Sequence, residues 1–149
     1  MSKSAFSLIE VLVFTSILSI FFVAAATVTT VSLRNLKISE RKIIATRHME
    51  DVTSWLRAQK ESDWNTFAEK ASAGGGNTYC FNLTSISWPS AGACGETYAL
   101  GNTFRREVNL VNNSDAQITS TVSVTWQDSI GIGGTMGVLL NTVYSVWEQ

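Results

Sequence analysis

Charge, histidine and cysteine are all scarce in this sequence of 149 residues. Charged side chains make up 15% of it, below the roughly 25% of soluble domains. The formal net charge of −1 at pH 7 gives no general argument for nucleic-acid binding. The single histidine, His48, lies far from the two cysteines and cannot complete a structural zinc site with them. No metal and no cofactor is expected.

Charged residues are absent from Val11 to Leu33, a run rich in Val, Leu, Ile, Phe and Ala. As a helix, this run is long enough to cross the roughly 30 Å hydrocarbon core of a bilayer. Glu10 then lies at or just inside the membrane, where a carboxylate costs on the order of 2.5 to 3.5 kcal/mol. A functional partner for Glu10 is the first hypothesis, and snorkelling of its side chain to the interface is the alternative.

The two cysteines, Cys80 and Cys94, enclose a stretch that contains Gly, Asn, Ser and Pro. The membrane segment suggests an extracytoplasmic body, where disulfides persist. The pair therefore predicts one disulfide, worth about 3 kcal/mol in the chain-entropy model. Two unlinked thiols are the alternative.

The N-terminal segment has several interpretations. A cleaved secretory signal has a shorter apolar region, although Val23–Thr30 imitates its cleavage site. A plain signal anchor leaves Glu10 without a role. The basic cluster after the span, RNLKISERK, outweighs Lys3 before it, so the positive-inside rule alone would place the C-terminal part in the cytoplasm.

A further interpretation comes from the segment SAFSLIEVLVFTSILSI, which resembles the prepilin-type N-terminal motif of type IV pilins and type II secretion pseudopilins. The shared features are a short basic leader, a small residue, Phe, a polar residue, aliphatics, Glu and a long apolar helix. The resemblance implies that residues 1–5 are a leader, that cleavage falls between Ala5 and Phe6, and that Phe6 is N-methylated. Ala5 stands where the family usually has glycine.

The same resemblance implies partners and a location for the chain. In the family, the amine freed by cleavage, here on Phe6, pairs with the glutamate of a neighbouring subunit, here Glu10. Such a pair gains far more in a low-dielectric medium than in water. The expected partners are other pilin subunits, the prepilin peptidase/N-methyltransferase, the pilus assembly platform and cytoplasmic membrane lipids. The C-terminal part is then extracytoplasmic and reaches the cell surface with the pilus.

Helical periodicity extends beyond the apolar run. No Pro or Gly interrupts residues 6–73, so a helix is predicted from Phe6 to about Lys60. Its amphipathic part has an apolar stripe made of Ala45, Met49, Val52 and Leu56. Asp63 is a candidate N-cap for a short second helix that ends at Gly74–Gly76.

From Thr78 onward the period changes to two, which predicts short antiparallel strands. Their sequences are YCFNL, FRREVNLV, ITSTVSVTW and MGVLLNTVYSVW, with turns at Asn112–Asp115 and Ser129–Gly134. The third strand places Ile118, Val122, Val124 and Trp126 on one face. A meander that buries one face against the amphipathic helix is the economical arrangement. The order of these strands resembles the C-terminal sheet of minor pilins of the modification-protein type.

The predicted fold class is α+β, with a long N-terminal helix packed on a small antiparallel sheet, as in pilins. The predicted regions are the leader at 1–5, a transmembrane or filament-core helix at 6–33, the amphipathic and second helices at 34–73, and the β-sheet domain at 74–149. A structural minor subunit of a pilus-like filament is the leading hypothesis. A membrane-anchored extracytoplasmic binding module that does not polymerise is the alternative.

Signals for catalysis or ligand binding are weak, and no enzyme activity is expected. The Gly-rich GIGGTMG lacks the Lys of a phosphate-binding loop and is interpreted as a hairpin loop. His48 is interpreted as a helix-surface residue. Asp115 and Asp128 could bind calcium, although no EF-hand loop supports this. Arg105 and Arg106 could contact phosphate, but they are interpreted as a solvated strand face, so nucleic acid is not an expected partner.

Overall fold

The computed structural model describes residues 7–127 and 134–146 and confirms the α+β class. Its helices are α1 (Leu8–Ser62) and α2 (Trp64–Ala68), and its strands are β1 (Asn77–Cys80), β2 (Phe104–Ser114), β3 (Gln117–Gln127) and β4 (Thr135–Ser145). The chain divides between Glu40 and Arg41 into two compact units. The first contains the start of α1, and the second, called the head unit below, contains everything from residue 41 onward.

The first unit is helical from Leu8 and exposes its apolar side chains. Leu8 is 83% exposed and Phe21 is 67% exposed, and nothing in the most apolar window of α1 is buried. By length and composition, α1 could cross a membrane. A helix suits that environment because it satisfies its own backbone hydrogen bonds where water is absent.

In the head unit, α1 continues as the predicted amphipathic helix. The four residues of its predicted stripe are all buried, namely Ala45, Met49, Val52 and Leu56. They belong to one apolar core with the inward side chains of the sheet, including Val108, Val122 and Val124. The prediction that the sheet buries one face against this helix is therefore confirmed.

Helix α2 begins where predicted and ends earlier than predicted. The Asp63 side chain accepts hydrogen bonds from the backbone N–H groups of Asn65 and Thr66, which confirms it as the N-cap. The helix ends at Ala68 rather than at the glycines. The reason lies four residues on, where the Ser72 backbone bonds to β2: its N–H donates to Leu110 and its carbonyl accepts from Asn112.

The sheet is an antiparallel meander in the order β1-β2-β3-β4, as predicted. Alternate side chains of β3 point into the core, and all four residues of its predicted apolar face are buried. The turn predicted at Asn112–Asp115 is shorter than expected, because β2 continues to Ser114 and β3 begins at Gln117. Of the turn predicted at Ser129–Gly134, only Gly134 lies within the described residues.

Strand β1 is displaced from its predicted position. The sequence indicated residues 79–83, whereas β1 is Asn77–Cys80. Phe81 and Leu83 direct their carbonyl groups to the guanidinium of Arg106 instead of to a neighbouring strand. The Phe81 N–H still donates to the Arg106 carbonyl of β2, but the carbonyl groups of this segment are held by a charged side chain.

Candidate functional site

Glu10 lies in the first turn of α1, on the part of the helix whose surface is apolar. Its carboxylate Oε2 accepts a hydrogen bond of 3.1 Å from the backbone N–H of Ser7, and its own N–H donates to the Ser7 carbonyl. This is one half of a capping box, in which an acidic residue at the third helical position reaches back to the N-cap. The sequence signal for this bond is the spacing Ser-x-x-Glu at residues 7–10, and it was not among the predictions above.

Most hydroxyl side chains within the apolar part of α1 are hydrogen-bonded to the helix itself. The hydroxyl groups of Thr15, Ser16, Ser19, Thr27, Thr29 and Thr30 each donate to a backbone carbonyl three or four residues earlier. A hydroxyl bonded in this way costs less in hydrocarbon than an unpaired one. The apolar part of α1 has one ionisable residue before Arg34, and that residue is Glu10.

The residues assigned to processing, Ala5 and Phe6, lie outside the described residues. Cleavage between them, methylation of Phe6 and the pairing of its amine with Glu10 remain predictions. The described chain starts at Ser7, next to the proposed new N-terminus.

The predicted disulfide between Cys80 and Cys94 is confirmed. It joins the end of β1 to the long segment that precedes β2. The same segment has further ties, because the Cys94 N–H donates to Glu107 Oε1 at 2.7 Å and the Gly92 N–H donates to the Thr78 carbonyl at 2.7 Å. The disulfide is thus one of several links that hold this loop on β1 and β2.

Removing the disulfide is expected to weaken the head unit without unfolding it. The bridge spans 14 positions, and a loop of this size corresponds to about 3 kcal/mol in the chain-entropy model. A Cys80→Ser, Cys94→Ser double variant should lose about this much free energy of unfolding. The measurement is denaturant unfolding followed by tryptophan fluorescence, with and without reductant. If reductant also lowers the stability of the double variant, the reductant acts on something other than the disulfide.

Arg106 is buried, so its interpretation as a solvated residue is wrong. Only 1% of it is exposed, and its guanidinium donates to three carbonyl groups, those of Phe81, His48 and Leu83, at 3.0, 2.8 and 3.2 Å. Burial lowers the pKa of Arg106, while the charge of Asp51 acts in the opposite direction. The alternation of β2 held the signal, because Arg106 shares the inward face with Phe104 and Val108.

Arg105 points to the other face of β2. It donates to Thr125 Oγ1 and to the Gly95 carbonyl, and its guanidinium lies 5.3 Å from the ring centre of Tyr98. With Arg106 buried, the two arginines do not form a joint phosphate-binding pair. The idea of nucleic-acid contact through both residues is therefore wrong.

His48 was predicted to lie on the surface of α1, but it is half-buried. Its ring packs edge-on against Phe104, with 5.5 Å between ring centres, and its Nδ1 lies 4.0 Å from Asp51 Oδ2. Burial, followed by the charge of Arg106, lowers the pKa of His48, and Asp51 partly opposes this.

The head unit is expected to lose stability as the pH falls below 6.5, the pKa of an ordinary histidine. A lowered pKa in the folded state means that the unfolded state binds more protons between the folded pKa and about 6.5, so acid favours unfolding there. Wild-type protein should lose more stability than His48→Gln between pH 7.5 and pH 5. Denaturant midpoints at both pH values measure this, and equal losses in the two proteins would contradict it.

Groups that could hold a metal ion are absent from residues 7–127 and 134–146, where no cluster of three or more His, Cys, Asp or Glu occurs. Asp115 is described, and its backbone carbonyl accepts a hydrogen bond from Trp64 Nε1. Asp128, its proposed calcium partner, and residues 131–133 of GIGGTMG lie outside the described residues, whereas Thr135, Met136 and Gly137 of that motif begin β4.

Comparisons of the chain with protein-family models, with curated proteins and with solved structures gave no match. The residues themselves therefore carry the functional argument.

Proposed function

We propose that this chain is a structural subunit of a type IV pilus-like filament, most similar to a minor pilin or a pseudopilin. The observation that supports this most is the fixed order of the N-terminal features, a short basic leader, Ala5, Phe6, Glu10 and a long apolar helix. The described fold is compatible with it, since α1 could cross a membrane and continues into a small disulfide-linked head unit.

The proposed mechanism rests on charge in a low-dielectric medium. The prepilin peptidase removes residues 1–5 and leaves an amine on Phe6, which it methylates. The amine of one subunit and the Glu10 carboxylate of its neighbour then compensate each other in the filament core, where either charge alone would be costly. Glu10 thereby sets the register of subunits as the assembly platform draws them from the cytoplasmic membrane.

The intact mass and the N-terminal peptide mass test this proposal. The protein is produced beside a prepilin peptidase, together with an Ala5→Leu variant. We expect the parent chain to lose Met1–Ala5 and to gain one methyl group on Phe6, and we expect Ala5→Leu to keep its leader. A parent chain that keeps its full N-terminus, or one that is cut near Ala26, would exclude the filament proposal.

One observation favours the alternative, an anchored binding module that does not polymerise. Glu10 already has a partner within its own chain, the Ser7 N–H, so helix capping alone gives it a role. In that case processing at Phe6 would be unnecessary, and substitutions at Phe6 would leave localisation and binding intact.

A further inference from the structure

A cleft lies within the head unit, between the last turns of α1 and the end of β4. Its volume is about 350 Å³, which is within the range of small-molecule sites in proteins. The filament proposal gives none of its residues a role. The cleft is lined by Arg57, Lys60 and Glu61 from the helix and by Thr142, Val143, Tyr144 and Ser145 from the strand.

Arg57 brings a positive charge to this cleft. Its side chain is exposed, and it forms no hydrogen bond or ion pair with any residue of 7–127 or 134–146. Burial raises the pKa of the Tyr144 hydroxyl and the charge of Arg57 partly opposes this, so the guanidinium acts on the inside of the cleft. A guanidinium has a planar pair of donors that matches the two oxygens of a carboxylate.

The other two charged residues of the lining decide which anion the cleft suits. Lys60 adds a second positive charge, and Glu61 adds a negative one. The lining therefore carries one more positive charge than negative charge. A ligand with a single negative charge balances this excess, whereas a second negative charge on the ligand would be repelled by Glu61.

The strand side of the cleft offers main-chain donors. The Val146 N–H donates to the Ala116 carbonyl at 3.1 Å, and residues of an antiparallel strand bond alternately to one side and to the other. Val143 and Ser145 therefore direct their N–H and carbonyl groups away from β3. In the part of the chain that the structure describes, no strand pairs with β4 on that side. Their N–H groups can thus donate to a bound carboxylate.

A buried hydroxyl group beside the cleft lacks a partner. Ser120 is fully buried, and its Oγ forms no hydrogen bond with the described residues. Ser120 is the register partner of Thr142, and the two side chains share the inner face of the sheet. Buried polar atoms are normally hydrogen-bonded, so an unpaired one next to the wall of a cleft indicates a polar group bound close by.

We propose that this cleft binds a small organic acid with a single carboxylate. The carboxylate accepts hydrogen bonds from the Arg57 guanidinium and from the outward N–H groups of β4, and the hydrocarbon part of the ligand packs against Val143, which is 57% exposed. Phosphate and dicarboxylates are disfavoured, because each places a second negative charge near Glu61.

This inference goes beyond the filament proposal and does not depend on it, since every residue that lines the cleft belongs to the head unit. The two tests are also separate. One measures the mass of the N-terminal peptide, and the other measures ligand binding at the far end of the chain. Either proposal can fail without affecting the other.

The test titrates the full chain, in detergent micelles and at constant ionic strength, with sodium butyrate and with butyramide. These two molecules have nearly the same shape, and only butyrate carries a charge. We expect butyrate to shift the backbone amide NMR signals of Lys60, Val143 and Ser145 saturably. Butyramide should leave these signals unchanged, because it cannot form a charge-assisted pair with Arg57.

Two matched arginine variants locate the binding site. Arg57→Gln removes the guanidinium at the cleft, and Arg47→Gln removes one from an exposed position on the same helix, outside the cleft. We expect butyrate to bind Arg57→Gln at least about tenfold more weakly and Arg47→Gln as it binds wild type. If Arg57→Gln unfolds, Arg57→Lys replaces it, and weaker binding is again expected because lysine lacks the paired donors.

The negative charge of the cleft has its own test. Wild type should bind butyrate at least about tenfold more tightly than succinate, whose second carboxylate is repelled by Glu61. Glu61→Gln should remove most of this preference. A free acid and the end of a peptide offer the same carboxylate, so acetyl-trialanine serves as a third ligand and should bind more weakly than butyrate.

Four results would overturn the proposal. The first is the absence of saturable shifts with butyrate, and the second is equal binding of butyrate and butyramide. The third is equal binding of butyrate by the Arg57→Gln and Arg47→Gln variants. The fourth is tighter binding of acetyl-trialanine than of butyrate, because the natural occupant would then be the end of a peptide.

Discussion

Replacing Arg106 with alanine is expected to lower the free energy of unfolding of the head unit by about 4 kcal/mol or more. Hydrogen bonds from a charged donor contribute roughly 1.5 to 3 kcal/mol each, and Arg106 makes three such bonds to backbone carbonyls. The carbonyls come from α1 and from the segment after β1, so the loss affects both. Alanine would leave the Phe81 carbonyl unpaired in a buried position and the His48 and Leu83 carbonyls unpaired in partly buried ones.

Arg106 holds a part of the chain that has little other regular structure. Beyond the guanidinium bonds, its backbone N–H donates to Asn82 Oδ1, and Asn82 in turn donates to the Thr97 carbonyl at 2.6 Å. The loop after β1 is thus built around one side chain of β2. The same loop covers the β1 edge, so loss of Arg106 should also expose that edge.

The neighbouring arginine supplies a matched control. Arg105→Ala removes the same side chain from the outer face of β2, where its contacts are partly exposed, and should cost no more than about 1 kcal/mol. Arg106→Lys keeps the charge but cannot donate in three fixed directions, so it should resemble alanine more than wild type. Every tryptophan of the chain lies after residue 41, so tryptophan fluorescence reports on the head unit in denaturant. Equal losses for Arg105→Ala and Arg106→Ala would contradict this account.

Much of the fold could be predicted because it follows from periodicity. The apolar stripe of α1 and the alternate buried residues of β3 are repeated patterns, and burial of apolar area is the main reason that such patterns fold as they do. The N-cap at Asp63 could also be predicted, since its side chain acts on backbone groups within the next three residues.

The missed features depend on groups distant in sequence. Arg106 donates a hydrogen bond to the carbonyl of His48, which is 58 residues away in the sequence. No local sequence pattern predicts such a bond. The position of β1 depends on the same guanidinium, and α2 ends early because Ser72 bonds to β2. Strand alternation did place Arg106 inward, but the usual preference of arginine for solvent outweighed that signal in the sequence interpretation.

The candidate site also has features that could be predicted from the sequence and one that was not predicted. The exposed apolar surface of α1 could be predicted from composition, and the disulfide from cysteine count and context. The bond between Glu10 and the Ser7 N–H could have been predicted from the spacing of the two residues. It was not predicted, because the cost of a carboxylate in a membrane favours the hypothesis of a charged partner in another chain.

That bond makes Glu10→Gln the most informative change at the N-terminus. Glutamine keeps an oxygen that can accept from the Ser7 N–H, and it serves in capping boxes as glutamate does, but it removes the negative charge. Glu10→Ala removes both. If Glu10 acts by pairing with the Phe6 amine of a neighbour, both variants should lower incorporation into filaments at least about tenfold, since the amine then lacks a counter-charge in the filament core.

The measurement is the fraction of the chain in sheared filaments, relative to the membrane fraction, in cells that assemble them. The N-terminal peptide mass of each variant shows whether the leader has been removed, so that failed processing is not mistaken for failed assembly. If Glu10→Gln is incorporated like wild type and Glu10→Ala is not, capping of α1 is sufficient and the charge is dispensable. If both fail although both are processed, the helix cap is intact in Glu10→Gln, so the loss must come from the missing carboxylate charge.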